Sequence, residues 1–161
     1  MTEYEKRKRR VCFTGRRPEK LNISELEAKE KLTKVILNSI KDGYSVFISG
    51  MARGIDIWAA EIILDLQNSG HDIKLICAVP YKGFEQYWSS DWKTRYQKII
   101  SSCNLVRYIS PNYSNRCFQI RNEWMVNHSS KVIAFYNGEK GGTRNTILYA
   151  QGKNVYISII E

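Results

Sequence analysis

The stretch Ser45–Glu61, read Ser-Val-Phe-Ile-Ser-Gly-Met-Ala-Arg-Gly-Ile-Asp-Ile-Trp-Ala-Ala-Glu, constrains this chain more than any other. Val46, Phe47 and Ile48 are a short apolar run of strand-forming residues, closed by Ser49 and Gly50. From Ile55 onward the apolar residues Ile55, Ala59, Ile62, Ile63 and Leu66 fall on one stripe of a helix. The stretch predicts a strand, a small-residue turn and a helix. Gly50 and Gly54 in that turn let backbone approach a bound group closely. The turn feeds a helix N-terminus, where free N–H groups and the dipole favour an anion. Arg53 adds a positive charge there, so Ser49, Gly50, Ala52, Arg53 and Gly54 are candidate binders of a phosphate or another anionic part of a nucleotide.

The same alternation runs through the whole chain. Strands are expected at Val11–Thr14, Val46–Ile48, Ile73–Val79, Leu105–Ile109, Val132–Tyr136 and Val155–Ile160. Helices are expected between them. One runs from an N-cap at Ser24, in the capping-box pattern Ser24-Glu25-Leu26-Glu27, to about Lys41. Another carries the aromatic stripe Phe84, Trp88, Trp92 and Tyr96, spaced four apart, and continues to about Ser102. Two more span Asn115–Asn127 and Thr143–Gln151. Strand–helix alternation argues for a Rossmann-like three-layer α/β/α fold on a mostly parallel sheet. In such sheets ligands bind beyond the carboxyl ends of the strands. The turns after the first, second, third and fifth strands then share one rim: Gly15-Arg16, Ser49–Gly54, Pro80-Tyr81 and Gly141-Gly142-Thr143.

Composition bounds the function. The chain has 161 residues, enough for one domain with a sizeable core, and residues 11–161 are read as that domain. Residues 1–10, with Lys-Arg-Lys-Arg-Arg at 6–10, are read as a basic, solvated N-terminal tail. A net charge of +9 favours phosphate-bearing or polyanionic partners. No apolar run approaches the roughly 18 residues of a membrane span, and no signal peptide is evident, so a cytoplasmic protein without membrane contact is expected. Cys12, Cys77, Cys103 and Cys117 are too scattered for a metal or disulfide framework and read as free thiols. No metal site is assigned.

In the rim, Gly141 and Gly142 expose backbone donors before a helix, and Thr143 offers a hydroxyl to an anion or to the helix cap. Neither glycine turn matches the phosphate loop of triphosphatases or the spaced dinucleotide fingerprint. Asp56 is read either as a cap in the first turn of its helix or as a partner of a sugar hydroxyl or base. Arg121 and Asn122 sit near a helix start, within reach of a phosphate or base edge. Asp56 and Glu61 are the only candidates for an acid or base, and no catalytic pair emerges.

Ser49-Gly50-Met51-Ala52-Arg53-Gly54-Ile55-Asp56, followed by Ala59-Ala60, resembles the Ser-Gly-x-Ala-x-Gly-Ile-Asp signature of the DNA-processing protein A family. Arg121-Asn122 resembles that family's Arg-Asn pair. Gly141-Gly142-Thr143 and Ala150–Val155 resemble its later glycine turn, helix and final strand. The short length, the start Thr14-Gly15-Arg16-Arg17-Pro18 and the ending Trp58-Ala59-Ala60-Glu61 look closer still to the YpsA-like family. Both belong to the SLOG superfamily of Rossmann-like nucleotide-binding domains, which also holds the cytokinin-activating phosphoribohydrolases. The resemblance implies a nucleotide or nucleic-acid site on this rim. Binding or sensing of a nucleotide or nucleotide-derived small molecule is the first reading, and no other cofactor is assigned. Single-stranded DNA or RNA binding is the second. The third is a nucleotide N-glycosidic hydrolase. The phosphoribohydrolases place a Glu shortly after their Pro-Gly-Gly-x-Gly-Thr turn, whereas Arg144-Asn145-Thr146 follows Thr143 here. A homo-oligomer stays open.

Overall fold

The computed structural model describes residues 1–161. Six strands form one sheet: β1 (Arg10–Gly15), β2 (Val46–Ser49), β3 (Lys74–Val79), β4 (Leu105–Tyr108), β5 (Lys131–Phe135) and β6 (Tyr156–Ile160). Their order is β4-β3-β2-β1-β5-β6 and every pairing is parallel, with Val11 opposite both Phe47 and Lys131. Helices α2 (Glu25–Lys41), α3 (Ile55–Asn68) and α4 (Ser90–Ser102) pack together on one face, and α5 (Cys117–Asn127) and α6 (Gly142–Gly152) on the other. The α/β fold expected from the alternation is the fold observed.

Side-chain alternation along the strands builds both cores. Val11 and Phe13 of β1 point to the α2–α4 side, while Cys12 between them points to the α5–α6 side. Phe13 stacks on Phe47 of β2 with ring centroids 6.1 Å apart. Helix α3 is the middle helix of its layer. That position buries more than the predicted stripe, for Ile57, Trp58 and Ala60 are enclosed as well.

Two segments differ from the reading of the sequence. The N-terminal segment is solvated as expected, but residues Glu3–Arg7 form a short helix, α1, rather than an irregular tail. Thr2 and Glu5 cap it reciprocally, Arg7 Nε donates to the Ser129 carbonyl at 2.9 Å, and Arg10 pairs with Glu3 at 2.5 Å. Two of the five basic residues, Arg7 and Arg10, thus hold the helix in place. The aromatic stripe is not one helix either. The helix starts only at Ser90, after Ser89 in extended backbone at ψ 159, so residues 81–88 are turns and only Trp92 and Tyr96 lie in α4. The rings still pack as one cluster, with Phe84 5.0 Å from Trp88 and Trp88 5.6 Å from Tyr96. Helix α5 begins at Cys117, two residues later than expected.

Candidate ligand-binding rim

After β1 the chain steps outward through β2, β3 and β4, then returns to place β5 on the other side of β1. The strand order reverses between β1 and β5, the place where open α/β sheets bind ligands beyond the carboxyl ends of their strands. On this edge the structure brings two corners together.

The first corner is buried. Arg121 on α5 crosses to β2 and donates through Nη1 to the Gly50 carbonyl. Its Nε donates to Asn122 Oδ1 at 2.8 Å, which fixes the plane of the guanidinium. Asp56 on α3 faces the same glycine: a Cβ at Gly50 would lie 2.8 Å from Asp56 Oδ2 and 2.9 Å from Arg121 Nη1. Only glycine fits between the two side chains. Asp56 Oδ2 accepts from the Ala52 N–H at 3.3 Å, and Asp56 Oδ1 is buried without a partner. Burial pushes the Asp56 carboxyl up to about 6, against the opposing pull of Arg121 and the Ala52 N–H. Burial also works against the Arg121 charge, which Asp56 supports. Ser49 ties the turn rather than facing outward, since its Oγ donates to the Asp56 carbonyl at 2.8 Å and accepts from the Met51 N–H at 3.2 Å. Met51, absent from the residues picked out by the sequence, holds a left-handed backbone at φ 62 with its side chain buried.

Helix α3 starts from Gly54 without a side-chain cap. Asp56 bonds the turn before the helix, so it does not serve as the cap that its first-turn position suggested. Gly54, at φ +94, packs against the Arg16 carbonyl and Pro18, and Gly15 packs so closely on Ile55 that a Cβ would meet it at 2.4 Å. These contacts bind the turns after β1 and β2 into one unit.

The second corner is open. Arg16 pairs with Glu139 and donates through Nη2 to the Lys140 carbonyl at 3.2 Å, so the turn after β1 clasps the turn after β5. Gly141 caps α6, again with no side-chain cap, while Thr143 is buried just inside the helix and Gly142 is exposed. Arg53 pairs with Glu19 at 3.1 Å. Glu19 and Glu139 are the rim acids that motif reading missed. Opposite charge alone, with no fixed spacing, links them to Arg53 and Arg16.

Further along the rim, Pro80 is buried and its carbonyl accepts from the Ser110 N–H at 2.9 Å. Tyr81 stands edge-on to Phe84 at 5.9 Å and to Tyr113 at 5.8 Å, with Phe118 at 6.4 Å. Glu61 is not part of either corner. Its carboxylate takes Arg95 at 2.6 Å and Lys29 at 3.0 Å, and Arg95 also reaches Glu25 at 2.8 Å, a network that ties α2, α3 and α4 together.

The family model for YpsA, described as the YspA SLOG family, matches residues 11–156. The chain belongs to this family. Among its curated relatives, an uncharacterized SPbeta prophage-derived protein of Bacillus subtilis, YoqJ, is 32% identical over 143 residues, covering 81% of this chain and 84% of the relative. A UPF0398 protein of Bacillus cereus is 28% identical over 156 residues, covering 89% and 82%. DNA processing protein A from Helicobacter pylori, solved for its single-stranded DNA binding mode, superposes with a TM-score of 0.70 at 20% identity, over 99% of this chain and 67% of that one. The TM1055 structure gives 0.60 at 14% identity, over 92% and 72%. Both structures share the fold of this family member. No helix of the chain is long and apolar enough to cross a membrane.

Proposed function

We propose that the rim binds the phosphate-bearing part of a nucleotide or nucleotide-derived small molecule. One observation carries this reading: two glycine-capped helix starts, of α3 and α6, meet at the reversal of strand order with Arg16 beside one and Arg121 beside the other. Uncapped first-turn N–H groups and the helix dipoles attract an anion, and the arginines add fork-shaped donors. Asp56 holds the Ala52 N–H and so shapes the turn that precedes α3. Membership in the SLOG family supports the reading. Calorimetric titration with ADP-ribose, NAD, mononucleotides and cyclic nucleotides tests it. Saturable binding by one of them, weakened by Arg16→Ala or Arg53→Ala, is expected. Binding by none, or binding indifferent to both substitutions, refutes it.

A second reading is single-stranded nucleic-acid binding along the same edge. It draws on the exposed rings of Tyr113 and Phe118 beside Tyr81, one turn of α5 before Arg121, and on the net charge of +9. It requires a steep fall of affinity with salt. Fluorescence anisotropy that shows no complex with a labelled oligonucleotide at low salt removes this reading and leaves the first intact. Hydrolysis is not proposed, because Glu61 is held by Arg95 and Lys29 and no second carboxylate stands beside Asp56.

A further inference from the structure

Beside the rim, the 81–88 turns, α4 and the end of β4 flank an open cleft of about 340 Å³. None of the rim residues Arg16, Gly50, Asp56, Arg121 or Gly141 lines it. Its polar lining comes from Lys82, Glu85, Gln97 and Ser101, and its aromatic lining from Tyr96 and Tyr108. The volume falls at the lower end of small-molecule sites, roughly 300–1,000 Å³.

Glu85 is the unexplained group. Its Oε1 is buried with no hydrogen-bond partner, and the side chain makes no ion pair. A carboxylate oxygen withdrawn from water without a donor is costly, and a charged N–H donor offsets that cost best. Tyr96 is enclosed beside it. Burial first, and then the Glu85 carboxylate, raise the Tyr96 hydroxyl above the ordinary phenol range. Tyr108, on the edge strand, lines the cleft and is exposed to solvent. The Glu85 carboxylate and the exposed Tyr108 ring together suit an ammonium group. Lys82, three residues before Glu85 and likewise without an ion pair, suits a carboxylate.

We infer that this cleft binds a small zwitterion of the amino-acid class, with its ammonium toward Glu85, its carboxylate toward Lys82 and its body against Tyr108. The site is independent of the rim. Differential scanning fluorimetry and calorimetry with the free L-amino acids, their decarboxylated amines and their deaminated acids test it on the full chain. At least one amino acid binds saturably at millimolar concentration, its amine binds more weakly, and its acid does not bind. Glu85→Gln weakens the amino acid about tenfold or more, as expected for a lost charge-assisted hydrogen bond. Lys82→Met reduces the amino acid to the affinity of its amine, and Arg16→Ala on the rim changes nothing. Glu85→Gln keeps the wild-type far-ultraviolet spectrum and melts no lower than the wild type, so lost binding reports the site rather than the fold. Absence of saturable binding by every amino acid overturns the inference. So do equal affinities for the amino acid and its deaminated acid, or binding unchanged by Glu85→Gln.

Discussion

At the β2 side of the rim, Asp56 and Arg121 meet around Gly50 almost out of solvent, 6% and 5% exposed. At the β5 side, Arg16 and Glu139 pair across turns that stay open to water, with 63% of the Glu139 side chain exposed. The same kinds of group stand in two settings. In the buried corner, packing fixes the charges, and the helix α3, both flanking turns and α5 depend on them. In the open corner, a surface ion pair holds two turns with little net stabilisation, because water and salt screen it. The buried corner is therefore a preorganised frame, and the open corner is adjustable: an incoming anion competes with Glu139 for Arg16.

Breaking the frame has the largest expected effect. Arg121→Met strands the Gly50 carbonyl and leaves Asp56 without its opposing charge. It lowers unfolding free energy by about 3 kcal/mol in urea titrations. An unchanged midpoint would show that the corner is not structurally coupled.

The pH dependence sharpens the same contrast. Asp56 rises from 3.8 to about 6 on folding, so between those values the folded state holds more protons than the unfolded state. Its contribution is present below pH 4 and is lost as pH rises through about 6, a fall of roughly 3 kcal/mol for a fully buried group. Urea unfolding of the wild type and of Asp56→Asn at several pH values isolates this slope. The variant shows a shallower decline across that window. Parallel curves would place Asp56 in a solvated setting.

Gly15→Ala tests close packing without touching charge. Its Cβ would enter the space of Ile55, at a cost of about 2 kcal/mol for overpacking. Thermal melts check it, and a neutral result would mean that β1 and α3 can separate freely. Glu139→Gln is the smallest in stability, within about 0.5 kcal/mol. It strengthens binding of an anionic ligand by freeing Arg16, which calorimetry reads directly; weaker binding would assign Glu139 to the ligand rather than to Arg16.

Much of this architecture was legible in the order of residues. Runs such as Val46–Ile48 and the Ile55–Leu66 stripe announce strands and helices, because burial on a sheet or a helix face imposes a period. Gly50, Gly54, Gly141 and Arg121 stood out through residue type and motif. The sequence did not disclose that Glu61 belongs to the Arg95 network, since that pairing spans three helices. Nor did it disclose that the aromatic stripe is divided between a run of turns and α4, or that Arg7 and Arg10 anchor α1 to the residues after α5. Rings spaced four apart also suit a turn that packs beside a helix, and an arginine reads as solvated until its distant acceptor is known. Glu19 and Glu139 escaped notice for the same reason.

Amide chemical-shift mapping of the ¹⁵N-labelled protein during titration with AMP, ADP-ribose and NAD tests the central claim most directly. The rim account predicts that one of these ligands moves the amides of Gly50–Ile57 and Gly141–Thr143 together and saturably, while α1 and the distal ends of the helices stay still. If none of them moves those two turns, or if the shifts gather elsewhere on the surface, the rim is not where a phosphate-bearing ligand binds.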